Sequence, residues 1–378
     1  MIDPVVSAAR DPVLVPSRNR ALLNAAASVV LLVLAGYVVA YLLRLKVIPV
    51  DFHVYRQAAE EIADGGSPYP WFAYPPLSAL AAVPLTLLSV AAADFLVKAM
   101  LMLCVVATLA VLQVRDWRCY AMALLWPQMN AAVQTGNITI PLALGAAIAW
   151  RFRGRPVVAG SGLGVGVAAK FLLWPLWLWL VAARRYAAAA WSVVIGAGVT
   201  LATWAVVDFG ALFEYPRRLS QLNKDTAGKG YTLDTLAADL GAGDTLARLL
   251  MSAVALALLV AVVVVGRRGN EMRSFVLAIA AALACSPIVW LHYFALLLVP
   301  VAIVRPRLSP IWFVPLAIWG FGAGTGNGST AEAAVVLAVV TATFALAVRA
   351  ASSAPDARHG AASRGERPTA SPAAAPLR

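Results

Sequence analysis

Residues 21–43 read ALLNAAASVVLLVLAGYVVAYLL, an apolar run that opens behind Arg10, Arg18 and Arg20. At about 1.5 Å of rise per residue, a helix over this run outreaches the roughly 30 Å hydrocarbon core of a bilayer. The run is too long for a signal-peptide core, and no A-x-A cleavage context follows it. It reads as a retained first span with the N-terminus in the cytoplasm. The rest of the chain is of the same material. Over 378 residues it is 62% hydrophobic and 13% charged, with a mean hydropathy of +0.80. A soluble domain averages about 45–50% apolar and about 25% charged, so the composition specifies an all-α polytopic membrane protein.

Short basic clusters separate the apolar stretches: Arg115/Arg118, Arg151/Arg153/Arg155, Arg184/Arg185, Arg267/Arg268/Arg273 and Arg305/Arg307. The positive-inside rule puts them all on the cytoplasmic side. The spans between them fall at about 95–113, 119–134, 138–150, 157–170, 171–183, 187–207, 246–266, 274–291, 293–304, 310–326 and 331–349. With the first run this predicts about 12 transmembrane helices and both termini inside. Several are shorter than the roughly 20 residues of a straight span, which is tolerated where broken helices line a cavity. Leu77–Leu88 breaks the alternation. It is short, follows Tyr74-Pro75-Pro76 and contains Pro84, so it reads as a juxtamembrane helix within one outer loop, 44–94.

This topology sorts the charges. The outer side receives ten Lys/Arg against twelve Asp/Glu, and the inner side twenty against six. The net +12 is therefore an orientation signal, and a nucleic-acid partner is not expected. The domain organisation is a cytoplasmic N-terminus (1–20), a transmembrane domain (21–349) with outer loops 44–94 and 208–245, and a tail (350–378). The tail is rich in Ala, Pro, Ser and Arg and is expected to be disordered in the cytoplasm. Cys104, Cys119 and Cys285 lack C-x-x-C spacing and carry no disulfide or metal argument.

Four sequence-distant polar clusters fall on the outer side. They are Asp51-Phe52-His53-Val54-Tyr55-Arg56, Gln134-Thr135-Gly136-Asn137, Lys170 before Pro175, and Ser286-Pro287-Ile288-Val289-Trp290-Leu291-His292-Tyr293. Each has a plain structural reading. Asp51 marks where a helix leaves the membrane, Lys170 snorkels to the interface, Gln134 and Asn137 satisfy a helix break, and His292 is an interfacial histidine. What singles them out is that all four share one face, where ionisable groups between apolar segments are functional candidates. His53 reads as a loop residue. Gly160-x-Gly162-x-Gly164-x-Gly166 lies inside an apolar span with no strand before it, so it reads as close helix packing. Trp71, Trp117, Trp126, Trp290 and Trp312 read mostly as interfacial-belt residues. No metal-binding motif is present.

With Gly66-x-Pro68-Tyr69, Tyr74-Pro75-Pro76-Leu77 and Ala159-Gly160, these motifs resemble glycosyltransferase family 87 of the GT-C superfamily over roughly residues 20–350. Where many family members carry a second His or another polar residue beside the position of His292, this chain has Tyr293. The resemblance implies a polyprenyl-phosphate-mannose-dependent α-(1→2)-mannosyltransferase, a multi-pass hexosyltransferase of the cell membrane. It further implies metal-independent, inverting transfer without a cofactor, acting on a glycolipid or polysaccharide acceptor at the extracytoplasmic face. Its arabinofuranosyltransferase branch, which uses decaprenyl-phosphate-arabinose, is the nearest alternative.

A lipid phosphate is already a good leaving group, so the chemistry needs a base for the acceptor hydroxyl and positive charge for the phosphate. Asp51, at the membrane face before a loop, is the expected base. Lys170 and His292, helped by Arg217 or Arg218, are expected at the phosphate. Gln134, Asn137 and Tyr74 are expected to line the cavity. A transporter or lipid flippase is the reading from another class, but such proteins show repeats with polar breaks at the midplane. This chain has no internal repeat, and its polar groups gather near one face.

Overall fold

The computed structural model describes residues 18–45, 49–69, 71–226, 228–321 and 329–352. The expectations for residues 1–17 and for the tail beyond Ser352 lie outside these, as does part of the expected 310–326 span. Among the described residues the chain is all-helical, with no strand. The helices are α1 (Arg18–Arg44), α2 (Val50–Ala63), α3 (Pro76–Thr86), α4 (Val90–Val111), α5 (Trp117–Leu125), α6 (Pro127–Thr135), α7 (Thr139–Arg151) and α8 (Pro156–Ala169). Then come α9 (Pro175–Ala182), α10 (Tyr186–Val207), α11 (Ala211–Asp225), α12 (Leu233–Asp239), α13 (Asp244–Arg267), α14 (Glu271–Ala284), α15 (Leu298–Val304) and α16 (Thr330–Ser352).

Among the described residues, five helices are long and apolar enough to cross a membrane: α1 over Asn24–Arg44, α4, α10, α13 and α16. Their exposed surface is apolar too: Val29, Val30, Leu32 and Val33 on α1, and Leu249, Leu256 and Val260 on α13. A helix that is hydrophobic all round and still exposed has lipid, not water, as its solvent. The other segments read as spans are shorter, and proline marks their starts. Pro127, Pro156 and Pro175 each sit in the first turn of a helix, where a missing N–H costs nothing. At Pro127 and Pro156 the preceding residue is also pushed out of the helical region. Trp126 accordingly has φ −65° and ψ 132°, and the expected 119–134 span is split into α5 and α6. Buried Asn130 repairs the break by donating to the carbonyls of Leu124 and Trp126, both at 2.9 Å.

The glycine run on α8 works as a packing surface. A Cβ on Gly160 would lie 2.6 Å from Trp191 Cβ and one on Gly164 2.7 Å from the Ser192 carbonyl, both on α10. A Cβ on Gly162 would meet the Gly145 carbonyl of α7 at 2.7 Å. Small residues on two faces thus let α8 sit against both neighbours. The tryptophan expectation needs correction. Trp126 and Trp312 are fully buried, not belt residues. Trp126 Nε1 donates to the Trp312 carbonyl and Trp312 Nε1 to that of Arg305, both at 2.9 Å, so the interior offered their N–H groups partners.

Loops meet at two ends. At one, Arg185 and Arg153 share Glu271, at 3.1 and 3.4 Å. Asp116 also accepts from the backbone N–H of Leu308 at 3.0 Å. At the other, Ser67 donates to Asp208 at 2.8 Å, and Tyr231 N–H to the Val289 carbonyl at 2.7 Å. Gly230 makes this second approach possible. Its φ is +88°, and a Cβ there would lie 2.6 Å from the Val289 oxygen.

Candidate functional site

The site is assembled where helices start or break. Asp51 lies in the first turn of α2, where the helix dipole favours a carboxylate. That helix lies within the 44–94 segment, where juxtamembrane helices were expected. Asn137 follows the end of α6, and the chain bends by 118° between α6 and α7. Gly136 makes that corner with φ +70°, a conformation glycine adopts without strain. A Cβ at this position would lie 2.6 Å from Phe52 Cβ and 3.1 Å from Pro49 Cβ. The missing side chain is therefore what lets the corner press against the start of α2.

Asn137 is fully buried and oriented by its neighbours. Its Oδ1 accepts from Thr139 N at 2.9 Å and Thr139 Oγ1 at 2.6 Å, capping α7. With the oxygen so used, the amide nitrogen faces away from α7 and Nδ2 donates to Asp51 Oδ2 at 2.9 Å. Tyr74 Oη donates to Asp51 Oδ1 at 3.3 Å, and its ring rests edge-on against Tyr55 at 4.9 Å. Two donors thus hold the carboxylate, one on each oxygen, and each oxygen keeps a lone pair for another partner.

Lys170 ends α8 in an extended conformation, φ −158° and ψ 122°. Its Nζ is buried and has no hydrogen-bond acceptor. Instead it lies 3.5 Å from the centre of the Tyr293 ring and 5.5 Å from that of Tyr74. Ring faces attract a cation, by about 2 kcal/mol when desolvated, but they do not satisfy its three donors. His292, in the 3-10 turn Leu291–Leu297, is buried, with Nε2 3.8 Å from Asp51 Oδ2 and no hydrogen-bond partner. The structure therefore brings Asp51, Tyr74, Asn137, Lys170 and His292 together from five separate segments.

Three expected side chains make no hydrogen bond or ion pair with this cluster. Gln134 is half-buried on α6, and its side chain makes no hydrogen bond to another described residue. Arg217 and Arg218, on α11, line a separate pocket with Tyr69, Trp71 and Tyr215. Arg218 Nη2 donates to the Trp71 carbonyl at 2.7 Å, and neither arginine touches Lys170 or His292. His53 is on helix α2, not in a loop. It points away from Asp51, two residues along the helix, toward Asp94 at 3.7 Å.

Two residues went unassigned in the sequence. Tyr293 was visible only as a departure from a family pattern, and it supplies the ring beneath Lys170. Thr139 orients Asn137, and its signal was local: a hydroxyl two residues beyond an asparagine at a helix start.

A mostly apolar cavity of about 740 Å³ begins beside this cluster. Phe52, Tyr55, Gly136 and Ala169 form part of its wall, each next to or one turn from a polar residue of the site. It extends between α3, α4, α7 and α8, past Leu101, Val157 and Val165.

A family model for glycosyltransferase family 87 matches residues 72–289, more than half of the chain. That stretch includes Tyr74, Asn137 and Lys170, while Asp51 and His292 lie outside it. No curated protein and no solved structure matches the chain. An all-helical chain with five candidate membrane spans, matched over that length, belongs to glycosyltransferase family 87 and is a membrane glycosyltransferase.

Proposed function

We propose that this enzyme moves a mannosyl residue from a polyprenyl-phosphate donor to a lipid-linked or glycan acceptor. The reaction inverts the anomeric carbon, needs neither metal ion nor cofactor, and takes place at the outer face of the cell membrane. The shorter helices would complete a GT-C-type bundle of about twelve crossings, with loops 44–94 and 208–245 outside. One arrangement carries the reading. A carboxylate fixed by Asn137 and Tyr74 stands with an unpaired buried ammonium at the mouth of an apolar cavity. A lipid-linked phosphate matches both halves of that arrangement. Its hydrocarbon chain suits the cavity, and its charge suits Lys170, whose buried ammonium has no hydrogen-bond acceptor.

In this mechanism Asp51 accepts the proton of an acceptor hydroxyl as that oxygen forms a bond to the anomeric carbon. The bond from that carbon to the phosphate oxygen breaks on the opposite face, and its electron pair leaves with the lipid phosphate. Lys170, with His292, balances the charge that builds there. Asn137 and Tyr74 aim the Asp51 carboxylate, and they act through it.

Membranes carrying the protein, incubated separately with radiolabelled polyprenyl-phosphate-mannose and decaprenyl-phosphate-arabinose, test the assignment. Label should enter a glycolipid or glycan from the mannose donor alone. Transfer from the arabinose donor alone reassigns the sugar, and transfer from neither overturns the proposal. Asp51→Asn should lower turnover by about 10²-fold or more while donor binding persists. Near wild-type turnover in that variant would remove Asp51 as the base.

A further inference from the structure

The pocket that holds Arg217 and Arg218 has a volume of about 560 Å³ and is walled by Tyr69, Trp71 and Tyr215. Glu214, both arginines and Gln221 supply its polar groups. This is the chemistry of a sugar site. A pyranose presents C–H faces that pack on aromatic rings, and its hydroxyls bond planar donors and acceptors such as guanidinium, carboxylate and amide groups. One donor is waiting: Arg218 Nε is buried without a partner, although buried polar groups are nearly always paired. A second phosphate suits the pocket less well, because it would share the space with the Glu214 carboxylate.

The pocket is rigidly connected to the base. Tyr69 Oη donates to the Tyr74 carbonyl, and Tyr215 Oη to that of Ala73, both at 2.9 Å. Tyr74 in turn bonds Asp51 through its own hydroxyl. The Tyr69 ring stacks on Trp204 at 4.6 Å, and the Ser67–Asp208 bond fixes the same loop to the end of α10. The aromatic wall is thus set one residue away from the group proposed to take the acceptor's proton.

We infer that this pocket binds the saccharide part of the acceptor and delivers its hydroxyl to Asp51, separately from the donor's apolar cavity. The inference rests on the proposed transferase reading and adds the acceptor's chemical class and route. It also gives Arg217 and Arg218 a role in acceptor recognition in place of the donor phosphate.

Binding and turnover are measured separately, using full-length protein in nanodiscs and the methyl and octyl α-glycosides of mannose and of arabinofuranose as probes. Saturation-transfer NMR on the Asp51→Asn protein should detect binding of at least one probe. Trp71→Ala and Arg217→Ala placed in that background should weaken it by at least about tenfold. In the otherwise wild-type enzyme, the same two variants should raise the acceptor KM by a similar factor and leave the donor KM within about twofold. Octyl glycoside binding well above methyl glycoside points to a glycolipid acceptor, whereas equal binding points to a glycan alone. Absence of binding by every probe, or a donor KM that rises in step with the acceptor KM, overturns the inference. Failure of the transferase reading looks different, because the wild-type enzyme would then transfer label from neither donor, whatever the probes bind.

Discussion

The two cavities beside Tyr74 differ in almost every material respect. The larger, against Tyr55, is lined mostly by apolar residues of α2, α3, α4, α7 and α8. The smaller is aromatic and charged, and is built from the loop after α2 and from α11. They share no lining residue. Both nevertheless reach Asp51 through tyrosines, the first through Tyr55 against Tyr74 and the second through the bonds that hold residues 73 and 74. On the proposed reading, the difference lets one carboxylate serve two substrates of opposite solubility: the hydrocarbon chain comes in from the lipid side and the sugar from the polar side. Each variant below should disturb one cavity and spare the other.

Lys170→Met gives the largest expected separation. The thioether keeps most of the stem's packing and removes the charge, so the site folds but has no cation for a phosphate. Losing one partner of a buried charge pair costs about 2–5 kcal/mol. Donor affinity should therefore fall by at least about tenfold, measured by equilibrium binding of labelled donor, with glycoside binding unchanged. Unaltered donor affinity removes Lys170 from the phosphate site and breaks the division of labour.

A smaller effect is expected from filling the apolar cavity. Val165 is 42% exposed and lines it, so Val165→Trp adds bulk without overpacking the core. The KM for a long-chain donor should rise roughly three- to tenfold, about 1 kcal/mol. A donor with a chain too short to pass Val165 should be unaffected. Equal effects on both chain lengths would mean that the hydrocarbon lies elsewhere.

The sequence carried much of the site and less of the fold's detail. Asp51, Asn137, Lys170 and His292 stood out because polar groups are scarce in this chain and the charge alternation put them on one face. Their convergence needs only that the helix ends on that face meet. The helix count was harder to read. Hydropathy measures how apolar a segment is, and says little about whether its helix continues across a Trp126-Pro127 or Gly136-Asn137 corner. The apolar residues on both sides of such a corner look alike. The pocket that Arg217 and Arg218 line was hidden for a related reason. Charge alone drew them toward a phosphate, whereas the Trp71 carbonyl that holds Arg218 lies 147 residues away in sequence. Trp126 and Trp312 were read as belt residues because the carbonyls that accept their N–H groups are set by tertiary packing. Tyr293 had no local signal at all, since its role exists only once Lys170 is folded above it.

The smallest effect is expected at the other end of α4, in Asp116. This carboxylate accepts from Arg118 N, Nε and Nη2 and from the Leu308 N–H. The side-chain bond from Arg118 lowers its pKa to about 2, with the Leu308 and Arg118 backbone N–H groups adding to the effect. A folded pKa below the unfolded value of 3.8 means that the bonds stabilise the fold above about pH 4. That stabilisation is lost as the pH falls toward 2. The partner Arg118 is 36% exposed, so the contribution is screened and amounts to no more than about 1 kcal/mol. Asp116→Asn should therefore melt slightly below wild type at pH 7, and the gap should close between about pH 4 and pH 2 in thermal scans of the detergent-solubilised protein. Asp116 touches neither cavity, and the length of α4 separates it from the loop after α2. Its variant should keep donor KM and acceptor KM unchanged per folded molecule. A change in either would mean that the two cavities are coupled to the far end of the bundle, and that they do not act as independent entrances.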